Sequence, residues 1–206
     1  MREPVGATCY RPDVIDDDIL DLVRRNPDLA ELLWQVCEFD LSRGDHGEPV
    51  RLLSGLALQG VAGDFTGGTF FLCGDRRPAR PVLYASSEGH AGLIGQNLAE
   101  ALENMLGLPS WYDCLKFSGT GDLTVMQTTA VHLGREELNE DPKISAQRTR
   151  VAAALNLELE PVPVLIARLH TAVSASSPDF VLTADTGGEY ESLFGHWLPS
   201  HNPSWR

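Results

Sequence analysis

The stretch that decides the fold is Gly63-Asp64-Phe65-Thr66-Gly67-Gly68-Thr69-Phe70-Phe71-Leu72-Cys73-Gly74, followed a few residues on by Pro81-Val82-Leu83-Tyr84-Ala85. Both apolar runs are short and rich in residues that suit a pleated surface, and both are bounded by glycine and proline. The connections Ala62 to Gly68 and Gly74 to Arg80 are rich in turn formers and too short to hold a crossover helix, so neighbouring strands must run antiparallel. With Leu52 to Val61 upstream as a third strand, residues 50–86 read as a meander.

Working outward, the N-terminal flank is helical. Ile15, Ile19, Leu22 and Val23 fall at helical spacing behind a run of aspartates, Asp16-Asp17-Asp18, which reads as a solvated helix start. Asn26-Pro27 interrupts the pattern, and Leu29, Leu32, Leu33, Val36 and Cys37 resume it, giving a helical pair over 13–39. On the other side, a helix is expected directly after Ser86-Ser87-Glu88-Gly89, with Leu93, Ile94, Leu98, Ala101, Leu102 and Met105 on one face and its end before Gly107-Leu108-Pro109. Further helices are expected around Trp111 to Leu115, from Leu123 to Leu138, from Ile144 to Leu157 with Arg148 and Arg150 off the apolar side, and from Val162 to Val173. A charged turn, Glu136 to Lys143, separates the middle pair. A late strand, Phe180 to Thr183, and a tail containing Trp197 and Trp205 complete the chain. The expectation is one α+β domain over 1–206: an antiparallel meander sheet flanked by helices, with a helical region at 90–175 as a C-terminal extension and a tail at 176–206.

Composition bounds the function. Of 206 residues, 43% are hydrophobic, enough for one buried core. No run approaches the roughly 20 apolar residues that cross a bilayer, and Met1-Arg2-Glu3-Pro4 has no apolar signal core behind it, so a cytoplasmic protein is expected. Cys9, Cys37, Cys73 and Cys114 form no C-x-x-C pair and read as small buried hydrophobes. Formal net charge is −13, which repels nucleic-acid phosphates and anionic lipid and favours encounter with a basic protein.

Chemistry-bearing motifs are sparse. The histidines at 46, 90, 132, 170, 196 and 201 are scattered, so no metal site is expected. The turn Gly63 to Gly68 lacks a phosphate-binding lysine and carries Asp64, so no phosphate cofactor is expected either. Ser86-Ser87-Glu88-Gly89-His90 offers hydroxyl, carboxylate and imidazole together, yet lacks the upstream glycine of a nucleophile elbow, and capping of a helix by Ser86 or Ser87 accounts for it as well. Trp111-Tyr112-Asp113 combines apolar area with polar tips.

From Gly63 to about Leu115, the Gly-rich hairpin, the Phe-Phe strand, Pro-Val-Leu-Tyr, Ser-Glu-Gly and a helix ending before Leu-Pro-x-Trp resemble the SUKH superfamily. The resemblance implies a strand with the pattern gGt-ff-l paired to a V-l-y strand, then an acidic turn and a helix such as Asn97 to Leu102. It implies a bacterial immunity or regulatory protein that binds and neutralises a protein toxin, often a nuclease, and no enzyme. A non-catalytic binding domain for a basic protein partner is therefore expected, with Asp64, Tyr84, Glu88, His90, Trp111 and Asp113 as contacts. The competing readings are a hydrolase or transferase using Ser86 or Ser87 with His90 and an acid such as Asp122 or Asp185, and a scaffold subunit docked through the late helices and tail. Self-association through an exposed sheet edge is open as well.

Overall fold

The computed structural model describes residues 16–75, 78–108 and 110–195. Expectations that involve Cys9, Ile15, Pro109, His196, Trp197, His201 and Trp205 lie outside the described residues. The elements run α1 (Asp16–Arg25), α2 (Pro27–Cys37), β1 (Val50–Leu52), β2 (Leu58–Gly63), β3 (Thr69–Cys73), β4 (Val82–Ala85), β5 (His90–Gly95), α3 (Leu98–Gly107), α4 (Trp111–Lys116), α5 (Leu123–Glu140), α6 (Ile144–Ala154), α7 (Val162–Ser174), β6 (Leu182–Ala184) and β7 (Glu191–Ser192). This is an α+β fold whose C-terminal half is largely helical.

The meander is present and longer than expected. Strands β2, β3, β4 and β5 are consecutive antiparallel neighbours, and β7 joins the outer side of β5 in parallel, so the sheet has five strands and is mixed. Every residue of β3 and β4 is buried, because both faces of the sheet are covered. Phe70, Leu72, Val82, Tyr84 and Ile94 face the large core shared with the helices. Phe71, Cys73, Leu83, Ala85 and Leu93 face a smaller core closed by Leu52 and Leu182, which belong to a separate two-stranded sheet of β1 and β6.

Residues 90–95 form strand β5, where the sequence suggested the first turns of a helix. Leu93, Ile94 and Leu98 do fall at helical spacing, but Leu93 and Ile94 point to opposite faces of a doubly buried strand. Helix α3 begins only after Asn97, whose side chain accepts from the Glu100 amide at 2.8 Å. A Cβ on Gly95 would stand 2.6 Å from the Ala101 nitrogen, so the missing side chain lets α3 lie against β5. The expected strand Leu52 to Val61 is likewise two strands, broken where Gly55 takes a positive φ of 76°.

The outer side of β2 is occupied. Asp40 and Gly63 exchange both backbone hydrogen bonds at 3.0 Å, and the Gly44 carbonyl lies so close to Gly60 that a Cβ there would collide with it.

Two charged side chains that the sequence placed on the surface are buried. Arg148 is 8% exposed and donates through Nη1 and Nη2 to both carboxylate oxygens of Glu137, joining α6 to α5. Asp16 is 1% exposed and accepts from the Arg80 amide at 2.7 Å and the Leu98 amide at 2.9 Å, tying α1 to the approach of β4 and the start of α3. Burial raises its pKa, against the two amide bonds and the Arg80 charge. Asp17 and Asp18 are the exposed members of the run, as expected. Replacing Asp16 with Ala leaves two buried amides without an acceptor and removes the carboxylate 4.0 Å from the buried Arg80 Nε, so Asp16→Ala should lower unfolding free energy by roughly 3 kcal/mol in urea denaturation. Asp17→Ala should lower it by less than about 1 kcal/mol.

Candidate functional site

One carboxylate organises the turn between β2 and β3. Asp64 Oδ1 accepts from the Thr66 amide, the Thr66 hydroxyl and the Gly68 amide, each at 2.8 Å. This is the local bonding by which aspartate stabilises turns. Its Oδ2 accepts from the Tyr84 hydroxyl at 2.6 Å, so the turn is fastened to the middle of the sheet. Tyr84 is 2% exposed, and burial together with the Asp64 bond holds its phenol protonated far above the ordinary range. A Cβ on Gly68 would collide with the Tyr84 hydroxyl and the Asp64 carboxylate, which explains the glycine. Ser87 ties in the neighbouring turn by donating to the Thr66 carbonyl at 2.9 Å.

Tyr84 is also the centre of an aromatic cluster. Phe70 lies 5.0 Å from it, Trp111 meets it edge-on at 5.0 Å and Tyr112 at 5.6 Å. Phe70 and Tyr84 are sealed in the core, whereas Trp111 and Tyr112, on α4, are half-buried. Above them opens a cleft of about 470 Å³, walled by the end of α2, the Asp64 turn, the Ser86 to Glu88 turn, the start of α4, and Glu137, Ile144 and Arg148. Phe65, at the tip of the Asp64 turn, stands at its rim and is 61% exposed.

The cleft is acidic, and its charges are unequally compensated. Five carboxylates line it, those of Glu38, Asp64, Glu88, Asp113 and Glu137, against the cations of Lys116 and Arg148. Lys116 lies 3.2 Å from Glu88, Arg148 is paired with Glu137, and Asp64 is saturated by the turn. Among the described residues, the carboxylates of Glu38 and Asp113 receive neither a hydrogen bond nor an ion pair. Loss of solvent raises the Asp113 carboxyl, with the Lys116 charge acting the other way. Loss of solvent raises Glu38 as well, and the negative charge of Asp64 adds to it. Glu38 is exposed over the residue as a whole, so the effect on it is the smaller in energy.

Of the six residues singled out in the sequence, the fold brings Asp64, Tyr84, Glu88, Trp111 and Asp113 to this cleft and leaves His90 out of it. Asp64 and Tyr84 serve as floor and fastening, and neither presents free polar groups. His90 begins β5, with Nε2 3.8 Å from Glu191 and Nδ1 buried without a partner. Ser86 and Ser87 shape a strand-to-strand turn and cap no helix: Ser86 Oγ accepts from the Glu88 amide at 3.3 Å and the His90 amide at 3.1 Å. Among the hydrogen bonds of the described residues, neither serine is joined to the His90 ring. Asp122, a candidate acid for that grouping, caps α5 through the Thr124 and Val125 amides. Cys37, Cys73 and Cys114 are buried thiols pushed up to about 12 by that burial. No group of three or more potential metal ligands converges among the described residues, and no described helix is long and apolar enough to cross a membrane.

A different histidine does contact hydroxyls. His46 Nδ1 lies 3.0 Å from Thr69 Oγ1 and Nε2 2.9 Å from the Tyr190 hydroxyl, which donates to Glu48 at 2.7 Å. Because the Tyr190 proton goes to Glu48, Nε2–H donates to Tyr190 and Nδ1 accepts from Thr69. These residues lie apart from the cleft and clasp the segment after β6 to the sheet.

Glu38 and Phe65 belong to the site and were not singled out in the sequence. Phe65 carried a legible signal, an aromatic side chain at the apex of a turn whose backbone must face solvent. Glu38 carried none, since it reaches the cleft only by ending α2 in a left-handed conformation, with φ of 57°.

No family model, curated protein or solved structure matches the chain.

Tyr84→Phe removes one donor from a buried carboxylate and should destabilise the fold by roughly 1–3 kcal/mol, and Gly68→Ala should be at least as damaging. Both are measurable by urea denaturation. The native state binds the Asp113 proton more tightly than the unfolded chain does, so ionised Asp113 weakens the fold above its raised pKa. That penalty fades as pH falls toward the ordinary aspartate value of about 3.9. Asp113→Asn should therefore raise Tm at neutral pH, with the difference shrinking to nothing in acid when calorimetry is repeated across pH.

Proposed function

We propose that the chain is a non-catalytic binding domain of the SUKH kind, an immunity or regulatory protein that covers and neutralises a basic protein partner, a nuclease toxin being the class the resemblance suggests. The observation that carries this reading is the cleft, which combines half-buried aromatic rings with two carboxylates, those of Glu38 and Asp113, that receive neither a hydrogen bond nor an ion pair among the described residues. Aromatic anchors beside desolvated charge are the composition of binding hot spots. Phe65 at the rim adds an exposed apolar contact on a turn that Asp64 holds rigid, so little ordering is needed when a partner arrives. The net charge of −13 supports the sign of the partner, since it speeds encounter with a basic surface.

Inhibition on this reading is steric and electrostatic: the acidic cleft occupies the surface on which the partner would hold a phosphate backbone. The test is affinity purification with the full chain from its native host, followed by binding measurements on the basic protein recovered. Phe65→Ala and Asp113→Lys should each weaken that complex at least tenfold, and raised ionic strength should slow association. Unchanged affinity in both variants would remove the cleft from the proposal. Co-expression should also rescue growth against the partner if that partner is a toxin.

A further inference from the structure

Helix α5 carries more apolar surface than the described residues cover. Its buried residues, Met126, Thr129 and Ala130, lie on one side, and Leu133 packs against the core beside them. Leu123, Val131 and Leu138 fall within about 80° of one another at 3.6 residues per turn, on the adjoining side. All three are exposed, Val131 at 46% and Leu138 at 47%. A surface helix packed on one side carries polar residues around the rest of its circumference, so this second stripe calls for a second cover. Val131 and Leu138 also line a groove of about 400 Å³ between α5, α6 and the approach to α7, together with Ile144, Leu159 and Val162. Val164, two residues past Val162, adds a further apolar side chain that is 47% exposed. Gly134 sits in the same lining between Val131 and Leu138; glycine weakens a helix at mid-length, and its missing side chain lets a neighbouring helix come close.

The charges of the groove point to what covers it. In a chain of net charge −13, its lining is neutral, with Arg135 and Arg148 set against Glu137 and Glu160. Arg148 and Glu137 answer each other. Arg135 on α5 and Glu160 on the approach to α7 have neither a hydrogen bond nor an ion pair among the described residues. We infer that the groove is the interface of a two-fold dimer, in which the apolar stripes of two copies cover each other and Arg135 of each copy pairs with Glu160 of the other. A two-fold contact makes every pairing twice from one patch, so a surface with one unpaired charge of each sign complements itself. The neutral lining neither attracts a strongly basic partner nor repels a second acidic copy. Glu137, Ile144 and Arg148 form the wall between this groove and the cleft, and the rest of the two linings differ. The dimer therefore holds whether or not the cleft binds a protein.

The test is sedimentation velocity of the full chain over a wide range of concentration. A reversible monomer–dimer equilibrium is expected. Val131→Glu and Leu138→Glu should each leave monomer alone while the protein still unfolds cooperatively in urea. Arg135→Glu and Glu160→Arg should each raise the dimer dissociation constant about tenfold, because each sets like charges against one another. The two changes move net charge in opposite directions, so a general effect of charge would shift them oppositely. Combined in one chain, they should restore the dimer to within about threefold of the parent, since the pairs re-form with their signs exchanged. A dimer that survives Leu138→Glu, or a combined variant no tighter than its single components, would overturn the assignment. A full chain that stays monomeric throughout would overturn it as well and leave the groove to a different occupant, such as a helix of another protein.

Discussion

The carboxylate of Asp64 is the constraint on which the site depends. It is 7% exposed and takes four hydrogen bonds, three from its own turn and one from Tyr84. A buried charge is tolerable only when its acceptor positions are filled, so turn and tyrosine are obliged to adopt one arrangement relative to each other. Tyr84 in turn fixes Trp111 and Tyr112 by edge contacts, and these support the floor of the cleft. The same charge repels Glu38, and it thereby helps keep that carboxylate in want of a cation.

Helix positions were legible where local chemistry alone decides them. Asn26 with Pro27 separates α1 from α2 as the sequence indicates, and Asn26 caps the second helix by accepting from the Leu29 amide at 3.2 Å. The meander was legible because short turns leave antiparallel pairing as the one solution. Strand β5 was not, because burial on both faces erases the alternation that marks a strand and leaves a run, Ala91 to Ile94, that a helix would also accept. Two buried charges, Asp16 and Arg148, were read as surface for a related reason: the partners that make their burial tolerable are distant in sequence or are backbone amides, and neither appears in a local pattern.

The site was partly legible in the same sense. Trp111, Asp113 and Glu88, named from the sequence as partner contacts, line one cleft, walled by α4 and the β4–β5 turn. His90 lies outside the cleft, and although its amide donates to Ser86 Oγ, its ring is joined to neither serine among the hydrogen bonds of the described residues. The strand geometry explains this: successive side chains leave a strand on opposite faces, and the serines stay in the turn. The candidate site is thus assembled from turn apices and helix ends on a doubly covered sheet.

The lateral border of β2 has one further consequence. Amide and carbonyl groups along an unpaired border are templates for the strand of another molecule, the elementary step of fibril growth. Here Asp40 and the Gly44 backbone already fill that position, so a second molecule would have to peel them away before it could extend the sheet there. A chain with fully buried β-forming runs such as Thr69–Cys73 is thereby shielded from strand addition at the Gly60 to Gly63 end of β2.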